Sequence, residues 1–307
     1  MKSRYGAVID IGTNSVRLLV ASLETDKIHG IHKAVSTTRI GEGVHQSRML
    51  DPKAMDRTLQ ALKEFKARAT EYGAGCIFCF ATSALRDAKN RELFIQRAQR
   101  ETGLRIDILS GDEEAEIGFL GAAGETEEMT GVLDIGGGST EVIIGRKGKI
   151  LNSKSINIGA VRAMEQIPLG DPVDGTQIRK MREWIRRNLE GEWRSDQFSK
   201  IKAWVGIGGT ITSLAAIQKG LVRYSFDAVQ GCMLTKESVL AILERLIGLS
   251  LDERKRVPGL QAQRADIIIP GTLICHEWME WAGVQAVQVS DRDNLEGYFI
   301  KKLSKNP

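Results

Sequence analysis

The sequence predicts an α/β protein of two similar lobes, each a mixed sheet with flanking helices, and three observations carry that expectation. A strand–glycine turn–strand hairpin occurs twice. Val132 to Gly145 reads Val-Leu-Asp-Ile-Gly-Gly-Gly-Ser-Thr-Glu-Val-Ile-Ile-Gly, and Val8 to Val20 reads Val-Ile-Asp-Ile-Gly-Thr-Asn-Ser-Val-Arg-Leu-Leu-Val. An offset of 124 positions lays Asp10 on Asp134, Gly12 on Gly136, Ser15 on Ser139 and Leu18 on Val142, and self-similarity at a fixed offset is the mark of a repeated structural unit. Strand-like and helix-like stretches alternate between the two copies, the order of an α/β lobe. Finally, 307 residues, 42% apolar and 27% charged, are enough for two domains with proper cores.

In each copy the β-branched flanks read as strands and the glycines as the tight turn between them. Glycine lets backbone N–H groups approach a ligand closely, and successive N–H groups in such a turn form a nest for anions. Asp134, at the mouth of its strand, is placed to hold a hydrated metal ion beside that anion. One such stretch alone also admits the reading of an ordinary Gly-rich hairpin; two in register suggest two lobes offering phosphate-binding hairpins to a shared cleft.

After the first hairpin, Lys27 to Val44 supplies a third strand and a loop turning at Gly41-Glu42-Gly43. Asp51-Pro52 opens a helix in the favoured cap-then-proline order. It runs to about Tyr72, with Met55, Leu59, Leu62, Phe65 and Ala69 on the helical period. A buried strand, Cys76 to Ala81, leads into Thr82-Ser83-Ala84-Leu85-Arg86-Asp87; a helix over 90–102 and a strand over 106–109 follow. Ser110-Gly111-Asp112-Glu113-Glu114 starts a helix whose carboxylates suit the positive end of its dipole, so capping is the plain reading of them. In the second lobe a strand is expected over 150–155, followed by Ile158 to Arg162. A basic helix over 176–189 carries Arg179, Lys180, Arg182, Arg186 and Arg187. That helix reads either as a solvated face or as a landing strip for a long polyanion. Ala203 to Thr210 is a strand into a third glycine turn, and the helix over 211–218 makes it a further anion seat.

The bulk properties exclude several classes. A net charge of +4 with a pI near 8.8 is too weakly basic to argue for DNA or RNA, though it suits a small polyanion. The first apolar run is broken by Asp10, Asn14 and Arg17, unlike a secretory signal, and no stretch suits a bilayer. Four cysteines fit a cytoplasmic, disulfide-free protein. Cys76 and Cys79, three apart on a strand, point to opposite faces and read as core packing rather than metal ligands. His276-Glu277-Trp278-Met279-Glu280 lacks the second histidine of a zinc-protease helix, and neither a Rossmann fingerprint, a P-loop nor a G-x-S-x-G elbow occurs.

Taken together, the three glycine turns resemble the phosphate and adenosine motifs of the superfamily of acetate and sugar kinases, heat-shock chaperones and actin. Within it the chain is most similar to the exopolyphosphatase / guanosine pentaphosphate phosphatase family. The segments that carry the likeness are Asp10 to Leu18, Ala81 to Ala88, Ser110 to Ala115, Asp134 to Glu141, Ile158 to Arg162, Gly206 to Thr210 and Arg264-Ala265-Asp266. The resemblance implies two actin-like (ribonuclease H-like) lobes, each with a mixed five-stranded sheet, and an active site in the cleft between them. The first lobe would comprise residues 1–123 with a returning C-terminal helix, 294–307, and the second residues 124–293. One departure concerns the C-terminal motif, where Leu295 stands in place of an expected arginine.

The same resemblance implies a metal-dependent exophosphatase that removes the terminal phosphate of inorganic polyphosphate, of pppGpp, or of both. Glu114 and Glu141 would be the catalytic carboxylates. Phosphate would be bound by Asp10, Asn14, Ser15, Arg86, Gly136, Gly137, Gly138, Ser139, Gly208, Gly209 and Thr210. Mg²⁺ or another divalent cation would be held by Asp134, with Glu114. A kinase of the same superfamily and a non-catalytic alarmone or nucleotide sensor are the alternatives. No nucleic-acid or membrane partner is expected, and a homodimer is left open.

Overall fold

The structure is a computed structural model that describes residues 5–24, 27–124, 126–190, 198 and 201–304. In chain order it runs β1 (Tyr5–Ile11), β2 (Ser15–Glu24), β3 (Lys27–Thr37), α1 (Val44–Ser47), α2 (Pro52–Glu71), β4 (Ala74–Ala81), α3 (Ser83–Asp87), α4 (Arg91–Thr102), β5 (Ile106–Ile108) and α5 (Gly111–Ala123). It continues with β6 (Thr130–Ile135), β7 (Thr140–Arg146), β8 (Lys149–Ile156), α6 (Ala160–Gln166), α7 (Gly175–Glu190), β9 (Ala203–Ile207), α8 (Gly208–Gln218), α9 (Phe226–Val229), β10 (Met233–Thr235), α10 (Lys236–Ile247), α11 (Leu251–Arg254), α12 (Ile268–Ala282), β11 (Ala286–Val289) and α13 (Asn294–Ser304). The chain forms two compact units, residues 1–121 with 294–307, and residues 122–293.

The first unit holds a five-stranded sheet in the order β3-β2-β1-β4-β5. The β1–β2 and β2–β3 pairs are antiparallel, and the β1–β4 and β4–β5 pairs are parallel. Alternation along β1 sends Ile9 and Ile11 to one face and Val8 to the other. The first face is covered by α2 through Leu59, Leu62 and Phe65, and by Phe94 of α4. On the opposite face Val8, Leu19 and Phe80 meet Ile117 of α5 and Leu295, Tyr298 and Phe299 of α13. Leu295 is therefore a core residue here, which accounts for the apolar side chain at that position. Polar contacts fasten the same helix: Lys302 Nζ donates to Asp107 Oδ2 at 2.7 Å, the Tyr298 hydroxyl donates to the same oxygen, and Lys33 pairs with Glu296 at 2.8 Å. Cys76 and Cys79 on β4 are both free thiols, and burial pushes the Cys79 thiol up.

The second unit departs from the expected five strands. Its sheet has six, in the order β10-β11-β9-β6-β7-β8, because the three-residue β10 adds antiparallel to β11. One core spans the unit, with Trp204 and Trp278 packed edge to face at 4.7 Å between ring centroids and Phe198 against both. In the stretch 158–162, for which the sequence suggested no element, Ala160 opens α6.

The basic helix α7 has a specific partner. Its apolar stripe, Ile178, Met181, Ile185 and Leu189, is buried. On the adjoining flank, Arg186 donates to Glu277 Oε2 and Arg182 lies 3.4 Å from Glu277 Oε1. Glu277, on α12, is fully buried, and His276 Nδ1 lies 3.3 Å from its Oε1. Burial alone would raise this carboxyl. It is outweighed by the hydrogen bonds from His276 and Arg186 and by the two guanidinium charges, so the group sits below its ordinary value. A landing strip built on Arg182 and Arg186 is thus displaced by an ion-pair role.

Arg182→Gln with Arg186→Gln is expected to leave the buried Glu277 carboxylate without its two guanidinium partners and to cost about 3 kcal/mol of unfolding free energy in urea. The sign with pH follows from the lowered value. The stabilisation from Glu277 is present above its unfolded pKa, about 4.3, and is lost as pH falls through its depressed folded value. The parent–variant gap therefore closes in acid. A double variant as stable as the parent at neutral pH would refute the assignment.

Candidate active site: two glycine turns and an arginine–glutamate pair

The two hairpins close in the same way. Gly12 N–H donates to Ser15 O at 3.1 Å, and Gly136 N–H donates to Ser139 O at 3.0 Å. In each, neighbouring backbone takes up the turn carbonyls. Gly41 N–H donates to Thr13 O at 3.0 Å and Arg39 N–H to Asn14 O at 2.9 Å. In the second copy the N-terminus of α6 does this work: Ala160 N–H donates to Gly136 O and Val161 N–H to Gly137 O, both at 2.9 Å. Arg162 Nε, on a buried side chain, donates to Gly138 O at 2.7 Å. A planar trans peptide points its N–H opposite its C=O. Fixing the carbonyls of residues 136–138 toward α6 therefore turns the amides of residues 137–139 the other way, as an anion nest requires.

Gly159 is what allows this approach. A Cβ there would lie 2.4 Å from the carbonyl carbon of Gly137 and 2.5 Å from Gly138 N. Both are backbone atoms that cannot swing aside.

In the first turn, Thr13 Oγ1 and Ser83 Oγ lie 2.8 Å apart, and Asn14 Nδ2 donates to Ser15 Oγ at 3.1 Å. Asn14 Oδ1 is buried with no hydrogen-bond partner among the described residues. Asp10 is buried and accepts from Arg17 Nε at 2.9 Å, the two facing each other across the ladder. Asp10 therefore serves as the anchor of Arg17, and a carboxylate itself would repel phosphate.

The equivalent ladder position in the second hairpin is chemically different. Asp134 faces Glu141, and both are buried, at 7% and 1% exposure. Glu141 Oε1 accepts from the Ser155 hydroxyl at 2.6 Å. Like charges directly opposite one another weaken a sheet, so this pair is suited to a cation. Among the described residues no three His, Cys, Asp or Glu side chains converge on a metal position. Mg²⁺ needs only one or two carboxylates and takes its remaining ligands from water and phosphate. The donor set of Asp134 and Glu141 fits such an ion.

The third glycine turn supports that carboxylate. Gly208 has φ +83, and a Cβ on it would fall 2.4 Å from Asp134 Oδ1. A Cβ on Gly209 would fall 1.8 Å from Arg264 Nη1. The space these glycines leave is occupied by the protein's own carboxylate and guanidinium. Thr210 is buried, and the hydroxyls of Thr212 and Ser213 bond back to the carbonyls of Gly208 and Gly209.

The acidic start of α5 divides into two roles. Glu113 Oε2 accepts from Ser110 N–H at 2.9 Å while Ser110 Oγ accepts from Glu113 N–H at 3.2 Å, which is a capping box. The hydrogen bond from the Ser110 backbone holds the Glu113 carboxyl below its usual value. Glu114 takes no part in the cap. It is 7% exposed, and its Oε2 accepts from Arg86 Nη1 at 3.1 Å, an atom that also donates to Leu109 O at 2.9 Å. The structure thus joins Arg86 to Glu114, two residues expected in separate roles. With a guanidinium already on Oε2, a metal ion at that oxygen would meet like charge, which argues against the metal-ligand role expected of Glu114.

Arg17, Arg162 and Arg264 received no role from the sequence although all three lie inside the quoted segments. The 124-position offset did contain one clue, since it sets Arg17 against Glu141 and so marks a change of charge at equivalent ladder positions. Among the described residues no helix is long and apolar enough to cross a membrane.

Comparison with known proteins places the chain among phosphoanhydride hydrolases. The chain is 32% identical over 310 residues to Exopolyphosphatase 2 of Mycobacterium tuberculosis, covering 96% of this chain and 97% of that one. It is 30% identical over 304 residues to the guanosine-5'-triphosphate,3'-diphosphate pyrophosphatase of Pseudoalteromonas translucida, covering 97% of this chain and 59% of that protein. Among solved structures, the Aquifex aeolicus PPX-GPPA enzyme superposes with a TM-score of 0.80 at 30% identity, covering 97% of this chain and 99% of that one. The two units accordingly have the actin-like lobe fold of those enzymes. The model of the Ppx/GppA phosphatase family matches residues 19–306, and the chain belongs to that family.

Proposed function

We propose that the protein is an exophosphatase that releases the terminal phosphate of inorganic polyphosphate, or of pppGpp, by in-line attack of a water activated by Glu114. The observation that carries this reading is the Arg86–Glu114 pair: a buried carboxylate left out of the helix cap and set 3.1 Å from a guanidinium. Names of relatives support the substrate class. Polyphosphate has the stronger support, because the exopolyphosphatase relative matches this chain over nearly its full length.

Hydrolysis of a phosphoanhydride asks the protein for positioning and charge neutralisation rather than covalent work. In this reading the amides of residues 13–15 and 137–139 and the Arg86 guanidinium hold the non-bridging oxygens of the terminal phosphoryl group. Glu114 accepts a proton from water as the new P–O bond forms, the bridging P–O bond breaks toward the shortened chain, and the proton leaves with the products. Asp134 and Glu141 would hold a divalent cation, which when bound supplies neutralisation of phosphate charge. Asp10 acts through Arg17, and Gly208 and Gly209 act through Asp134 and Arg264.

The direct test is release of inorganic phosphate from polyphosphate, pppGpp and ATP, with and without Mg²⁺ and without any acceptor. Release from polyphosphate or pppGpp supports the reading. Transfer seen only with an added acceptor would make the protein a kinase, and binding without turnover would make it a sensor. Arg86→Lys probes the clamp itself. Lysine keeps the charge but cannot grip two oxygens in one plane, so kcat/KM is expected to fall by about 10²-fold. Full activity in the lysine variant would reduce Arg86 to a source of positive potential.

A further inference from the structure

Besides the glycine turns, the second unit carries a concentrated group of cations at the tip of the β7–β8 hairpin. Arg146, Lys147, Lys149 and Leu151 line an open hollow of about 350 Å³. Arg146 and Lys149 are register partners across the ladder, so two like charges face each other. Such a pairing weakens a sheet unless an anion sits between them. Neither residue has an ion pair among the described residues, whereas Lys147 pairs with Glu127 at 2.6 Å. The tip thus presents two unneutralised cations.

The backbone of the tip is fixed. Lys147 and Gly148 have φ of 51 and 68, the left-handed pair of a two-residue type I′ turn. A lysine in that region carries a steric cost that asparagine or glycine would avoid. Lys147 N–H donates to Thr126 O at 2.7 Å, and the Thr126 hydroxyl donates to Ala123 O at 2.9 Å, so the turn is braced from below. Leu151, 54% exposed, forms the apolar wall of the hollow. Among the described residues no aromatic ring lines it, which disfavours stacked bases as ligands.

We propose that this tip is a second phosphate-oligomer site, which holds a distal part of a polyphosphate chain whose end lies in the 136–139 turn. The proposal rests on the polyphosphate reading above for its role, though not for its existence as a binding site. Both places belong to one unit and lie at opposite ends of β7, whose seven residues span about 23 Å at ~3.3 Å per residue. A chain shorter than that span cannot touch both, whereas a long one can, and linked contacts raise apparent affinity without altering chemistry at the end.

The test compares the full chain with its Arg146→Gln/Lys149→Gln variant, both positions being exposed and outside the packed core. KM for long polyphosphate is expected to rise roughly 5- to 10-fold, with kcat unchanged and tripolyphosphate kinetics unmoved. The salt dependence of that KM should flatten in the variant. Direct binding of long polyphosphate to the full chain, measured without turnover, should weaken by a similar factor. Equal losses on tripolyphosphate and long polyphosphate would mean general electrostatics and overturn the proposal, as would no change in either KM or binding. Displacement of bound polyphosphate by single-stranded RNA at equal phosphate concentration would assign the tip to nucleic acid instead. If no phosphoanhydride is hydrolysed at all, the proposed activity fails, and the binding comparison alone still decides the site.

Discussion

Glu114→Gln is expected to leave the fold and ligand binding intact and to lower kcat by about 10²–10⁴-fold, the usual size of a general-base contribution. Its neighbour supplies the control. Glu113 closes the capping box on Ser110, so Glu113→Gln should keep kcat and cost only about 0.5–1 kcal/mol of stability. The physical difference between them is that one carboxylate has its oxygen on a helix-end amide and the other on a guanidinium. Steady-state kinetics on the two variants, with thermal unfolding alongside, separates the roles. Near-normal turnover in Glu114→Gln would remove it as the base and make Glu141 the stronger candidate.

Gly159→Ala is expected to have an effect of comparable size by another route. The added methyl meets Gly137 and Gly138 backbone at 2.4–2.5 Å, so either α6 withdraws or the turn shifts. Overpacking of this kind costs about 1–3 kcal/mol. The larger loss falls on activity, because moving α6 releases the carbonyls of Gly136 and Gly137 and re-aims the amides behind them. Misplacing even one oxyanion donor costs about 10²–10³-fold in kcat, and the loss should appear in kcat more than in thermal stability. A Gly159→Ala protein with parental kcat would show that the 136–139 amides do not contact the reacting phosphoryl group.

How much of this was legible in the sequence depended on the range of the interactions concerned. Both hairpins were readable because strand flanks, glycines and aspartate lie within a dozen residues and occur twice. The Asp10–Arg17 pair is just as local, two positions reflected across one turn, yet Asp10 was expected to bind phosphate and Arg17 was given no role. The sixth strand was not readable, since Met233 to Thr235 is too short for any period to register. Helix α12 was hidden for the opposite reason: it is buried on nearly every face, so its apolar residues show no stripe. The basic face of α7 was visible but its meaning was not, because Glu277 lies 91 positions from Arg186. At the site, residue types pointed to Glu114 and Arg86 separately; that they touch follows from where α3 and α5 sit around β4 and β5, which no local pattern encodes.

The return of α13 to the first unit has a consequence for synthesis on the ribosome. Domains generally fold as units in the order in which they emerge. Here residues 1–121 of the first unit come before the second, yet much of the layer over Val8, Leu19 and Phe80 is supplied by Leu295, Tyr298 and Phe299. The second unit is one continuous stretch, residues 122–293, and needs nothing made after it. Residues 1–121 are therefore translated before the second unit but completed after it, and their sheet keeps part of one apolar face, beside Ile117, uncovered until α13 has left the exit tunnel. A nascent chain stalled before residue 294 would carry a finished second unit and an unfinished first one, which makes that apolar face the natural place for a chaperone to hold.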